Sequence, residues 1–184
     1  TYINLLPDII PFLENEGYNI NVSDLREYST KFEFTQFTEN TFSNQTWPKG
    51  HPQAGQPIVF RDYQVEIINN FLTNPQSVQE VATGAGKTVI TAALSDAVSA
   101  YGRSIVIVPN KSLVTQTYKD YVNMGLDVGV YFGDDKEYGR QHTICTWQSL
   151  NNLLKDTKNG TADITIGEFI EGVVCVIVDE VHRA

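Results

Sequence analysis

Two runs of mostly β-branched residues, SIVIV at 104–108 and VVCVIV at 173–178, constrain the fold of this chain more than any other feature. Neither run alternates with polar residues, so each must be buried on both faces. Such strands belong to a parallel sheet covered by helices on either side. The intervening segments carry the complementary signal. Leu113, Val114, Tyr118, Tyr121 and Val122 form one helical stripe ending near Gly125, VGVYF and TICT read as further strands, and QSLNNLL reads as a short helix. Upstream, Tyr63, Ile67 and Phe71 share a helical face ended by Asn74 and Pro75, and residues 78–82 read as a short strand. Val89, Ile90, Ala93, Leu94, Ala97, Val98 and Tyr101 then form an apolar stripe closed by Gly102. Alternating strands and helices predict an α/β fold with a mainly parallel sheet.

Residues 1–57 read differently. PDIIPFLENEGYNINVSD predicts a short helix stopped at Gly17 and then a short strand, while KFEFTQF alternates as a half-buried strand does. ENTFSNQTWPKGHPQAGQP is polar and rich in Pro and Gly, the composition of a linker or long loop. The expected organisation is therefore part of a small α+β domain plus linker over 1–57, followed by the α/β domain over 58–184. Phe32, Phe34, Phe37, Phe42 and Trp47 have the chemistry to stack on bases. For Phe32, Phe34 and Phe37, the core of a small sheet is the preferred reading.

With 184 residues and 41% hydrophobic residues, the chain can bury one substantial core. Its formal charge of -9 excludes binding to nucleic acid through a broad basic surface, so any such contact must be local. No apolar run has the length of a membrane span. The start, TYINLLPDII, lacks the basic region of a signal peptide and an initiator methionine, so the chain is expected to begin inside a longer protein or to have been trimmed. Cys145 and Cys175 lie in apolar segments without CxxC spacing, which suits buried thiols in a reducing cytoplasm. His51, His142 and His182 have no metal-ligand spacing either.

The chemistry concentrates in two places. In VATGAGKTVI, residues 81–90, the general phosphate-loop pattern requires a glycine where Val81 stands. Gly84 and Gly86 nevertheless allow the backbone N–H groups of the Thr83–Ala85 turn to point at phosphate oxygens, with a helix start behind them. Lys87 can then reach the β and γ phosphates, and Thr88 can place its hydroxyl on Mg²⁺. In VCVIVDEVH, Asp179 and Glu180 end a buried strand, a costly position unless they meet a cation or solvent. Asp179 would hold Mg²⁺ through water, and Glu180 would orient and deprotonate an attacking water. Separately these are a glycine turn and an acidic strand end; together, in this order, they point to a nucleotide site.

FRDYQ at 60–64, ATGAGKT at 82–88, VPNKSLVTQ at 108–116, TWQSL at 146–150 and DEVH at 179–182 resemble motifs Q, I, Ia, Ic and II of superfamily 2 helicases, in order. RDYQ, TWQSL and NLLPDIIPFLENEGY resemble more specifically the UvsW-type recombination helicases of tailed phages, in which a small α+β domain precedes the motor. Val81 fits the helicase form of the loop. The resemblance implies a RecA-like P-loop domain that uses ATP and Mg²⁺, with Arg61 and Gln64 recognising adenine. Tyr63 reads as a core residue. It also implies that Pro109, Asn110, Lys111 and Gln116, with Thr146, Gln148 and Ser149, contact a nucleic-acid backbone, although Asn110 stands where threonine is frequent. His182 would couple the nucleotide to that contact. The implied partner is branched or single-stranded DNA, with RNA as an alternative, in the cytoplasm of a cell that is a host if the chain is phage-encoded. Motif III and a second RecA-like domain are expected beyond residue 184, so residues 1–184 alone should turn over ATP poorly. A restriction-complex motor and an ATP-binding regulatory module are the competing readings.

Overall fold

The computed structural model describes residues 5–23, 32–47 and 49–181, which divide into two compact units, Thr1–Glu33 and Phe34–Ala184. The first unit contains α1 (Leu6–Asn15), with a proline in its opening turn and Asp8 near its positive end. It ends where the sequence predicts. Gly17 adopts φ +86°, its N–H donates to Glu14 O at 3.0 Å, and Tyr18 N–H donates to Leu13 O at 3.1 Å. These paired bonds close the last turn through a left-handed glycine. Residues 18–23 form no strand, and 24–31 lie outside the described residues.

The second unit runs α2 (Asp62–Thr73), α3 (Lys87–Val98), β1 (Arg103–Val108), α4 (Lys111–Asn123), β2 (Val128–Phe132), β3 (Asp135–Lys136), β4 (His142–Thr146), α5 (Trp147–Asn159), α6 (Ile166–Ile170) and β5 (Val173–Val178). The sheet order is β3-β2-β4-β1-β5, with every pairing parallel except the short β2–β3 hairpin. Side-chain alternation sends Val106, Val108 and Ile144 into one core with Ile90, Ala93, Val114 and Tyr121. Ile105, Ile107 and Cys145 enter a second core with Leu153 and Phe169. The central strands β1 and β4 are thus buried on both faces. β5 departs from the expectation of two-sided burial: it lies at the edge of the sheet, and Val174 and Val176 on one of its faces are exposed, 36% and 56%, because no described element covers them. Among the described residues no helix is long and apolar enough to cross a membrane.

Two further predicted strands are absent from the described residues. Residues 78–82 form no ladder, and Val78 is 82% exposed. KFEFTQF, described from Phe32 onward, also forms no strand. Instead the Asn69 side chain of α2 accepts from Phe37 N–H and donates to Phe37 O, both at 2.9 Å, supplying by one carboxamide what a neighbouring strand would supply. Phe37 is buried against Phe42 and Phe60, with ring centroids 6.0 and 4.8 Å away. Phe34 meets Tyr101 edge-on, whereas Phe32 is largely exposed. The Pro- and Gly-rich stretch is a loop closed on itself. Trp47 N–H donates to Gln56 O and Gly55 N–H to Trp47 O, both at 2.9 Å, while the Trp47 ring stacks on His51.

At the amino ends of β1 and β4 lies a buried polar chain. Ser95 Oγ and Tyr121 OH are 2.9 Å apart, Ser104 Oγ donates to Ser95 Oγ at 3.1 Å, and Ser104 Oγ lies 2.9 Å from His142 Nδ1. Burial holds the His142 pKa below its usual value, against the opposing pull of Asp127, and pushes that of Tyr121 up. Burial likewise raises the Cys145 thiol to about 12 and Cys175 to about 11, which makes both unreactive.

Candidate functional site

The glycine loop turns as its sequence requires. Gly84 has φ +81° and Gly86 φ +83°, backbone conformations that L side chains rarely adopt. Gly86 is also the N-cap of α3, and a Cβ there would stand 2.6 Å from Gln64 Nε2. Thr83 and Gly84 are exposed, while Ala85, Gly86, Lys87 and Thr88 are half-buried. The first turn of α3 contains no acidic residue, so its positive end is not offset from within the helix. This combination of a left-handed glycine turn and a helix start is suited to an anion.

The end of β5 reaches the same place. Asp179 N–H donates to Ile107 O at 2.9 Å, extending the β1–β5 ladder beyond the strand. Glu180 N–H donates to Asp179 Oδ1 at 3.0 Å, and Glu180 adopts φ +54°, the one positive value for a non-glycine among the described residues. That conformation costs on the order of 1 kcal/mol or more and has to be held by its surroundings. Lys87 Nζ donates to Glu180 Oε1 at 2.8 Å, with side-chain exposures of 30% and 24%. Two segments 93 residues apart are thereby joined through their charged groups.

The residues preceding and opening α2 close over the loop. Gln64 is 7% exposed; its Oε1 accepts from Arg61 N–H at 3.0 Å and its Nε2 donates to Ala85 O at 2.9 Å. Tyr63 OH donates to the same carbonyl at 3.0 Å and accepts from Arg61 Nη1 at 2.8 Å. Tyr63 is a loop contact that the sequence reading missed by assigning it to the core. The available signal was its hydroxyl: a tyrosine at a helix start needs a polar partner if it is covered.

The other predicted group gathers at the carboxyl ends of neighbouring strands, since Val108 pairs in register with Thr146. Asn110 caps α4 through a bond from Leu113 N–H at 3.0 Å. Thr146 caps α5, accepting from Ser149 N–H at 3.3 Å, and lies 3.0 Å from the Ser149 hydroxyl. Both side chains therefore serve their own helices. Pro109 is half-buried; Lys111, Gln116 and Gln148 are exposed, with Lys111 5.3 Å from the Phe132 ring centroid. His182 lies outside the described residues.

No group of three His, Cys, Asp or Glu among the described residues is arranged to hold a metal ion. Thr88, in the first turn of α3, and Asp179, just beyond β5, carry oxygen donors of the kind Mg²⁺ takes.

Residues 57–184 match the family model described as type III restriction enzyme, res subunit. No curated protein sequence matches the chain. The UvsW helicase of bacteriophage T4 is similar in structure with a TM-score of 0.68 at 19% identity, over 98% of this chain and 62% of that one. A second structure of T4 UvsW gives 0.62 at 16% identity, over 98% and 41%. The chain thus spans less than two thirds of the T4 chains it resembles, and the likeness is one of fold, that of a RecA-like helicase domain. With the helicase motifs in order and more than half its length matched, the chain belongs to the type III restriction enzyme res subunit family of superfamily 2 helicases.

Proposed function

We propose that the chain is the ATP-binding part of a nucleic-acid translocase that remodels branched or forked DNA in recombination and repair in the cytoplasm. The observation carrying this reading is the 2.8 Å contact between Lys87 and Glu180, which puts a phosphate-type loop and a strand-end carboxylate pair in one site. Bound Mg²⁺ would neutralise phosphate charge. Thr88 and Asp179 would hold it; Gly84, Ala85 and Gly86 would present backbone N–H groups to phosphate, with Thr83 opening the turn. Lys87 exchanges its carboxylate partner for phosphate oxygen, leaving Glu180 to accept a proton from water. Arg61 and Gln64 complete the nucleotide site. Pro109, Asn110, Lys111, Gln116, Thr146 and Gln148 form the local nucleic-acid face, and His182 couples it to the nucleotide. Residues 1–57 form an accessory part, 58–184 the first motor domain, and a second RecA-like domain supplies the remaining charge stabilisation.

The test is steady-state ATP hydrolysis by the full-length protein without nucleic acid and with single-stranded, duplex and forked DNA and RNA, using Lys87→Ala as the blank. Stimulation greatest with forked DNA and absent in the variant is expected. Equal turnover with every polymer and with none sinks the motor reading and leaves an ATP-binding switch. The family match favours one second reading, the motor of a restriction complex. Stimulation by duplex DNA irrespective of forks would select it.

A further inference from the structure

A cavity of about 280 Å³ lies where the β2–β3 hairpin meets α5 and the turn that leads to α6. Leu153 and Ile164, both buried, give its lining an apolar part. Tyr131 also lines it, with its ring packed on Phe169 at a centroid distance of 4.8 Å and only 5% of the residue exposed. The Tyr131 hydroxyl has no hydrogen-bond partner among the described residues, and it is not one of the sealed polar atoms, which are Ser77 Oγ, Arg103 Nη2 and Thr143 Oγ1. It is therefore reached through the cavity. Asp156, in the last turn of α5, and Asp163, beyond that helix, add carboxylates to the same lining. Neither side chain has an ion pair or hydrogen bond among the described residues. An acid in the last turn of a helix opposes the macrodipole, so Asp156 is not there for the stability of α5. Burial raises the pKa of the Tyr131 phenol, and Asp156, Asp163 and Tyr138 raise it further, so the potential at that hydroxyl is negative. The one basic residue of the lining, Lys136, is exposed and leaves two carboxylates facing a single ammonium.

We propose that this cavity binds an aliphatic cation, a guanidinium or primary ammonium group on an apolar stem, with Asp156 and Asp163 holding the charge and Tyr131 accepting a hydrogen bond. The chemistry of the lining selects that class. Carboxylates only accept, and a phenol oxygen has acceptor capacity, so the complementary ligand is rich in donors. A guanidinium offers five N–H groups and an ammonium three, and their bonds to carboxylates are charge-assisted. Leu153 and Ile164 suit the methylene stem that carries such a head. The volume lies near the lower bound, about 300 Å³, of small-molecule sites, a size that fits one long side chain or a small amine. An arginine or lysine of a polypeptide and a free alkylamine or alkylguanidine present the same chemistry, and the experiment separates these sources. The proposal does not rest on the reading of residues 82–88 as a phosphate site.

Calorimetric titration of the full-length protein at low salt tests it, with agmatine as the free alkylguanidine, a blocked glycine-arginine-glycine peptide, and the same peptide carrying citrulline, which keeps the shape and loses the charge. Agmatine or the arginine peptide is expected to bind with a dissociation constant on the order of 1 mM or tighter, and the citrulline peptide at least about tenfold more weakly. Asp156→Asn and Asp163→Asn should each weaken the cation by about tenfold, through loss of a charge-assisted partner. Tyr131→Phe should weaken it by on the order of fivefold and leave the melting temperature unchanged, because the hydroxyl it removes has no partner within the protein. Agmatine and the arginine peptide binding alike would show that the free cation suffices. A peptide preference of more than about tenfold would identify a polypeptide segment as the carrier. No binding of either cation at about 10 mM overturns the proposal, as does citrulline binding equal to arginine. If all three variants bind the cation like wild type, it sits elsewhere on this acidic chain and the cavity is not its site. The asparagine substitutions are at exposed positions, so they decide the matter even if Tyr131→Phe fails to fold.

Discussion

At the amino ends of β1 and β4, Ser104 and His142 join Ser95 and Tyr121 in a buried chain of hydrogen bonds. At the carboxyl end of β5, a lysine and a glutamate meet half-exposed, the glutamate with a left-handed backbone. The same sheet supports both arrangements, yet they hold polarity in opposite ways. At the amino edge the groups are uncharged at neutral pH, solvent-free and partnered within the protein, so their exchange would leave a buried donor or acceptor unsatisfied. At the carboxyl edge the groups are charged and reachable, and a pair of that kind contributes little to stability while remaining free to change partners. Polarity closed inside the fold stabilises it; polarity left exchangeable is available to a ligand.

That contrast breaks most readily at the carboxyl edge. Lys87→Ala should lower nucleotide turnover by at least about a hundredfold, the scale of losing one preorganised charge stabiliser, with an unchanged melting temperature. A large fall in melting temperature would mean that the Lys87–Glu180 pair is structural, and the two edges would no longer differ in kind. Glu180→Gln should reduce turnover on the order of a hundredfold while nucleotide binding persists, because a water-activating base is lost and the competing carboxylate is gone. Retained turnover, measured beside equilibrium binding, would remove Glu180 from that role.

Opposite behaviour is expected at the amino edge. Tyr121→Phe should destabilise the fold by about 1–2 kcal/mol in denaturant melts through the hydroxyl left without its partner, with turnover per folded molecule unchanged. A loss of turnover at full stability would show that this chain of bonds serves the site. His142 sharpens the comparison through pH. Its folded pKa lies below the unfolded value of 6.5, so the folded state resists protonation that the unfolded chain accepts. Stability should therefore be insensitive to this residue above pH 6.5 and decline as pH falls from there toward the folded pKa. Replacing His142 by Gln should flatten that segment of the stability profile, and an unchanged slope would reject the assignment. The smallest effect separates two roles of one side chain. Asn110→Asp preserves the cap on α4, whereas Asn110→Ala should cost about 1 kcal/mol. If Asn110 also faces a nucleic-acid backbone, the aspartate variant will bind DNA more weakly at unchanged stability.

The central α/β pattern was legible because its signals are local and redundant. The apolar runs of β1 and β5 announce sheet strands, although only β1 is buried on both faces, and Gly17, Gly102 and Gly125 mark where helices or their flanking turns stop. The loop and the DE pair could be found as motifs, although only the fold brings Lys87 to Glu180. What could not be read depends on neighbours. Residues 78–82 carry suitable residues for a strand but have no ladder partner, and a strand exists only where another accepts its hydrogen bonds. The alternation in KFEFTQF reports that Phe37 is buried, not that a strand buries it. Tyr63 was missed because a ring in a helical stripe looks the same in sequence whether or not its hydroxyl meets Ala85.

Asn69 has a consequence beyond packing. By occupying the N–H and C=O of Phe37, its carboxamide takes the pair of groups through which an unsheeted segment could recruit a strand from another molecule. Backbone groups left without such partners are what an added strand bonds to. At Phe37 one side chain of the same molecule holds both groups, so a foreign strand finds neither of them open there.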